Sequence, residues 1–348
     1  MGHYFQPSPQ RASDLACTMA SSLRESLAVQ LQTVGASIPL TQHFTSGAYR
    51  NQRPRPSDFT AYFDLVALEG HSVEKGGLHA DKAVRRAELV YTLLTSDCPH
   101  PHDDANQPRV VTLCPQHFSE DELSALLRWW DTEPQNALGL MPLEPDELKL
   151  VRLQIAKALE ELAQSAPQLH GEVMVLIKDI VVARPGDARR MDFGGVSSFA
   201  AWGAIGLNQE AHVHWVHFMK TIVHESAHLL LFAVAREEPL VLNDPAERYG
   251  SPLREDLRPL DGIFHAAFVS AREAFALDAC LRCHEGRAED ADAEVSDMLE
   301  QSLKDSVLAF WDCCDQLQSH ARLSGLGTAI LQDCKNYMQE AFEVQAGV

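Results

Sequence analysis

His224-Glu225-Ser226-Ala227-His228 lies within an apolar stretch, Val213 to Val234, that reads as one buried helix. Residues four apart on a helix stand one turn apart on the same face, so the two imidazoles project together. Ile222 and Val223 precede the motif and Leu229-Leu230-Leu231-Phe232 follow it. Such flanks place the motif in an interior where polar groups without partners are costly. One metal ion held by both histidines meets that cost, and it leaves a carboxylate, Glu225, one position after the first ligand. The competing reading is a helix with two ordinary histidines. Either way, the fold must enclose a long helix and supply partners for its polar face from another element.

At 348 residues the chain can bury one large core or two moderate ones. A net charge of -20 argues against a broad nucleic-acid footprint and against anionic membrane surfaces. The sequence MGHYFQPSPQRASDLACTMA lacks the apolar centre of a signal peptide, and no apolar run has the length of a membrane span. The eight cysteines are scattered, and Cys280 and Cys283 form the one C-x-x-C. Reduced thiols are the expectation there, against a zinc or redox site. A cytoplasmic protein of unspecified oligomeric state follows from these readings.

Along the chain, helical spacing covers Leu15 to Leu31, Lys82 to Leu94 and Pro145 to Gln164. Ser119 with Glu122 three residues on predicts a capped helix running to Trp130. The Pro- and Asp-rich stretch 96–109 reads as a loop, and its His100 and His102 as solvated rather than metal-bound. Val173 to Val182 is β-branched and predicts a buried strand. Gly194 to Leu207 reads as a strand loosened by glycine, either a bulged edge or an edge that receives a peptide by strand addition. A loop from Arg236 to Leu260 leads to three further helices, Asp261 to Cys283, Ala291 to Gln318 and Ser324 to Val344. The expected class is α+β, mostly helical, with a small sheet beside the H-E-x-x-H helix. The expected division is 1–144, a helical region that could recognise a peptide, and 145–348, the metal-binding domain.

A catalytic metal site needs a third protein ligand. The helix after Asp261 offers His265 and Glu273, and Arg272 lies seven residues beyond His265, nearly on its face. His224, His228 and Glu273 would form the metallopeptidase set, with Glu225 as general base on a zinc-bound water. His224, His228 and His265 would instead leave Arg272 beside the metal, suited to clamp a carboxylate. A salt bridge from Arg272 to Glu225, Asp261 or another acid is the competing reading. Arg254 and Arg258 are further candidates for a ligand's carboxylates, set against simple pairing with Glu255 or Asp256.

HESAHLLL followed by SPLREDLRPLDGIFHAAFVSAR resembles the H-E-x-x-H peptide-modification family found beside ribosomally made natural-product precursors. The resemblance spans roughly Pro145 to Cys283. It implies a gluzincin-like core, Fe(II) rather than Zn(II), α-ketoglutarate and O₂ as cosubstrates, and hydroxylation of a side-chain Cβ in a precursor peptide. Residue by residue, it carries metal binding onto His224, His228 and His265, and cosubstrate binding onto the arginine of an H-x-x-x-V-x-x-R stretch, Arg272. Two histidines and a carboxylate are the usual set for such iron sites, so Glu225 or Glu273 stays open as a ligand. Where it does not bind the metal, Glu225 would orient a neighbouring group.

Three functions are carried forward: an Fe(II)/α-ketoglutarate peptide β-hydroxylase, a gluzincin-type zinc metallopeptidase, and a peptidase-like fold that only binds a peptide or partner enzyme. The partner expected in each case is a peptide, with no nucleic acid and no membrane.

Overall fold

A computed structural model describes residues 4–34, 54–70, 78–95, 107–131, 137–251, 254–286 and 292–343. In chain order the elements are α1 (Pro9–Thr33), α2 (Pro56–Gly70), α3 (Leu78–Thr95), β1 (Arg109–Thr112), α4 (Glu120–Trp130), β2 (Leu140–Met141), α5 (Pro145–Ser165), α6 (Pro167–Leu176) and β3 (Asp179–Pro185). They continue with β4 (Gly195–Ser197), β5 (Ala204–Asn208), α7 (Trp215–Val234), β6 (Tyr249–Ser251), β7 (Arg254–Arg258), α8 (Leu260–Glu285), α9 (Ala293–His320) and α10 (Gly325–Met338). The chain is therefore mostly helical with a small sheet, an α+β protein. His100, His102 and Cys98 fall outside the described residues.

Two compact units divide the chain, one of 1–9, 151–173 and 212–348, the other of 10–150 and 174–211. This division does not follow a single boundary at 144/145. Strand pairing explains why: β3 and β5 lie far along the chain from β1 yet share its sheet, so 174–211 joins the second unit.

In that second unit the sheet order is β1-β3-β5-β4, with β2 also paired to β3. β1, β3 and β5 run parallel, and β4 returns antiparallel to β5. Val173 to Val182 is thus two elements rather than one strand. Pro167 opens α6, Val173 to Leu176 complete it, and the strand begins at Asp179. A short β-branched run cannot by itself separate a buried helix turn from a strand. The second half becomes strand because β1 and β5 flank it on both sides.

The stretch Gly194 to Leu207 is likewise a hairpin, its first strand β4 at the sheet edge and its second, β5, inside. Its glycine does admit a close neighbour. A Cβ on Gly206 would meet Val196 at 2.7 Å and the Trp130 ring at 3.2 Å, so α4 packs down on the sheet at a position without a side chain. Trp130 joins Val111, Leu126, Val181 and Ala204 in one apolar cluster. Ser119 and Glu122 form the expected capping box of α4.

Polar ties fix the remaining register. Arg109 and Asp179 are cross-strand partners and bond through two contacts, 2.7 and 2.8 Å. Asp64 of α2 accepts from Arg86 of α3 at 3.0 Å and from Arg128 and Trp129 of α4 at 2.9 Å each. The helix α2 has no counterpart among the sequence expectations, although Pro56 at its first position is a start signal.

Asp58, at the start of α2, accepts the Arg55 N–H at 2.7 Å. Its burial, opposed by that bond and by Arg55 and Arg86, pushes its pKa from 3.8 up to about 6. The native state therefore holds the proton more tightly than the unfolded chain. The associated stability is fully present below about pH 4 and is lost as pH rises through about 6, on the order of 2–3 kcal/mol. Asp58→Asn keeps an acceptor for Arg55 and does not titrate. Urea unfolding at pH 4 and pH 7 should show the variant gaining on the wild type at the higher pH; equal differences at both would remove Asp58 from the pH dependence.

Candidate metal centre

α7 is buried on nearly every side, as its apolar run requires: Trp215, Phe218, Ile222, Leu230 and Ala233 are all enclosed. His214 caps its start, Nδ1 accepting the Val216 N–H at 3.4 Å. Along one face lie Lys220, His224 and His228, each one turn after the last. α8 packs against α7 in the same unit and brings His265 and Glu273 to that face.

The four side chains form a continuous chain of contacts. His224 Nδ1 meets Glu273 Oε1 at 2.7 Å. His224 Nε2 meets His228 Nε2 at 3.1 Å, and His228 Nδ1 meets His265 Nδ1 at 2.9 Å. Phe232 stacks over His228 at 6.2 Å between ring centroids and lies 5.4 Å from the His265 ring. From α9, the Ser306 hydroxyl donates to Glu273 Oε2 at 2.6 Å. Lys220 Nζ stands 3.7 Å from the same oxygen.

The carboxylate can only accept, so His224 Nδ1 carries a proton and Nε2 presents a lone pair when the ring is neutral. Three neutral imidazoles then satisfy every contact with one proton each, passed from His265 to His228, from His228 to His224, and from His224 to Glu273. Burial alone would lower the His224 pKa, but the hydrogen bond and charge of Glu273, helped by Glu225, raise it. Glu273 moves the other way: burial favours its neutral form, yet His224, Lys220 and Ser306 bring its pKa below the ordinary value. Burial lowers the His265 pKa, with Asp261 opposing.

Could these residues hold a metal? Two ligands about 2.1 Å from one ion and at right angles stand about 3 Å apart. The Nε2 atoms of His224 and His228 have that separation, at 3.1 Å. Glu273 occupies the opposite edge of the His224 ring, where a carboxylate fixes the tautomer and strengthens the ligand. In the orientations seen it does not share an ion with Nε2, and the His224, His228, Glu273 set would require the His224 ring or the carboxylate to turn. His265 touches His228 on the ring edge away from the Nε2 pair, so a third donor requires rotation of an imidazole. In the orientations seen, no three His, Cys, Asp or Glu donors converge among the described residues. The donor chemistry fits a metal at two positions, with a third imidazole in contact.

Arg272 has a different role from the one its spacing suggested. Only 1% of its surface is exposed, it pairs with Glu172 of α6, itself equally buried, and it donates to the Phe5 carbonyl. The carboxylate it clamps belongs to this chain, so its guanidinium is not offered to a ligand. Sequence spacing gave the acid as Glu225, Asp261 or another, and it is another. Glu225 is buried on α7 beside His224, on which its charge acts. Arg254 and Arg258 lie on β7, opposite Ser251 and Tyr249 of β6. Arg258 is half-buried, and the Arg254 side chain falls outside the described residues. Cys280 is buried and Cys283 partly so, both as free thiols.

Lys220 and Ser306 were not singled out from sequence. Lys220 carried a signal, its i, i+4 spacing to His224 on an otherwise apolar helix. Ser306 carried none, being a serine on a distant helix. No protein-family model matches the chain, and no curated protein is significantly similar to it.

Two variants test the arrangement. Glu273→Gln, which keeps an acceptor but loses the charge, should weaken zinc binding about 10- to 100-fold in chelator competition; unchanged affinity would detach Glu273 from the centre. Arg272→Met leaves Glu172 buried without its cation and should cost about 3–5 kcal/mol in urea unfolding. Adding Glu172→Met should recover a large part of that loss, and a double variant no more stable than the single one would contradict the pairing.

Proposed function

We propose that the chain is an Fe(II)/α-ketoglutarate-dependent hydroxylase acting at a side-chain Cβ of a ribosomally made peptide, on a gluzincin-like helical core. The observation that carries this reading over the zinc peptidase is the position of Glu273. A carboxylate spent on His224 Nδ1 leaves the peptidase ligand set one member short. His224 and His228 remain as donors for a metal, and His265, in contact with His228, would supply the third imidazole after a ring rotation.

Bound iron would supply O₂ activation coupled to conversion of α-ketoglutarate to succinate and CO₂, with the other oxygen atom delivered to the peptide carbon. This chain's own residues do the rest. Glu273 holds the Nδ1 proton of His224, so Nε2 keeps its lone pair. Ser306 and Lys220 hold Glu273 charged within an apolar surround. Phe232 stands against the His228 and His265 rings and gives that side of the histidines an apolar neighbour. Glu225 needs no proton-transfer role and acts through its charge on His224.

The deciding assay is succinate formation from α-ketoglutarate by anaerobically purified protein given Fe(II) and ascorbate and then exposed to air. Iron-dependent succinate that disappears in His228→Ala is the expected result, with Glu225→Gln keeping a measurable part of it. Peptide cleavage with zinc, no succinate even with candidate precursor peptides, and a loss of about 10²- to 10⁴-fold in Glu225→Gln would return the protein to the peptidases.

A further inference from the structure

The sheet-bearing unit holds a second pair of chemically active side chains, which the proposed reaction does not use. β1 ends at Thr112, and the chain turns through Cys114-Pro115-Gln116-His117 before the cap of α4. Pro115 takes the second position of that turn, where its fixed φ is favoured. The Cys114 carbonyl accepts the His117 N–H at 3.0 Å and closes the turn. Phe118, the next residue, is anchored in the apolar cluster with Trp130. So held, Cys114 Sγ stands 3.1 Å from His117 Nδ1. Both residues are partly exposed.

The surroundings of Nδ1 suit a nitrogen that gains and loses a proton. The Thr112 N–H donates to it at 3.2 Å, which fits the neutral ring with its proton on Nε2 and a lone pair on Nδ1. The Thr112 carbonyl lies 3.1 Å from the same nitrogen and can accept from it once Nδ1 is protonated. One backbone residue thus serves both states of the imidazole, and the Cys114 thiol is a proton source in contact with it. Other thiols of the chain are placed differently. Burial pushes Cys313 and Cys314 each up to about 12, and Cys17 is exposed on α1. We propose that Cys114 is a thiol-modification site that takes a low-molecular-weight disulfide, with His117 as its base. A thiolate, not a thiol, is the nucleophile in such exchange. Nδ1 takes the thiol proton as Sγ attacks one sulfur of the disulfide. A new S–S bond to Cys114 forms as the old one breaks, and the departing thiolate takes the proton back from Nδ1.

The test treats the full-length protein with oxidised glutathione at pH 7 and follows each cysteine by peptide mass spectrometry after acid quenching. Cys114 should form its mixed disulfide faster than Cys17, although Cys17 is the more exposed of the two. His117→Asn keeps an acceptor for the Thr112 N–H but cannot take a proton. It should slow Cys114 about 10- to 100-fold, at or below the lower end of what a positioned base contributes, and leave Cys17 at its wild-type rate. Cys313 and Cys314 should stay unmodified in both proteins, which reports that the variant is folded. Wild-type Cys114 reacting no faster than Cys17 overturns the assignment whatever the variant does. A folded variant whose Cys114 keeps the wild-type rate also overturns it, because His117 would then only brace the turn. If Cys313 becomes reactive in the variant, the wild-type order of Cys114 and Cys17 decides alone.

Discussion

Glu273 is a carboxylate with only 6% of its surface exposed, set where three helices meet. Removing an anion from water is expensive and is tolerated only where partners offset the loss. Here α7 supplies His224 and the nearby charge of Lys220, and α9 supplies Ser306. Apolar helix faces can slide past one another by a turn at modest cost, since one leucine resembles the next. A buried carboxylate with two hydrogen bonds cannot, because any other register leaves it without them. The same contact sets which nitrogen of His224 carries a proton, and with it which edge of that ring can serve a metal.

Its neighbour in sequence faces elsewhere. Successive helix residues diverge by about 100°, so Arg272 points to α6 and to the first described residues while Glu273 points to the histidines. Arg272 and Glu172 then hold a short segment in place. Ser8 donates its N–H to Glu172 at 2.9 Å, Tyr4 donates to Asp333 at 3.2 Å, and the Phe5 ring stacks on Tyr337 at 4.6 Å. Gly171 makes room for it, because a Cβ there would meet Pro9 at 2.7 Å. Residues 4–9 thereby belong to the unit that holds the histidines, although the rest of the first hundred residues belong to the other.

Much of this could be read in advance, and the part that could not has a common cause. Periodicity located α3, α5 and α7 through α9 to within a few residues, began α1 six residues late and carried α10 on over the turn Gln339–Glu343, and Ser119 with Glu122 announced α4. Spacing reports which face a residue occupies but not what that face meets. His265 and Glu273 were both visible as partners for the motif, eight residues apart on α8. Their division follows from how α8 runs: the earlier histidine of α7 meets the later residue of α8, and the later histidine meets the earlier one. That order belongs to an antiparallel pair of helices, and a one-dimensional pattern does not contain it. Arg272 failed as a ligand clamp for the same reason, since Glu172 lies a hundred residues away on another helix. The strand boundary at Asp179 was likewise decided by β1 and β5 rather than by Val173 to Val182 itself.

The usual iron site of this chemistry joins two imidazoles and a carboxylate, and replacing the carboxylate by an imidazole removes a negative charge from the metal's ligands. Glu273 bears on that difference. It stands one ring behind Nε2 of His224, and through the Nδ1 hydrogen bond it makes that ring a more basic donor. The centre would thus retain the electrostatic influence of a carboxylate without spending a coordination position on its oxygen. Lys220 completes the balance, because a cation held 3.7 Å from Glu273 keeps the carboxylate ionised while remaining beyond hydrogen-bond reach of it.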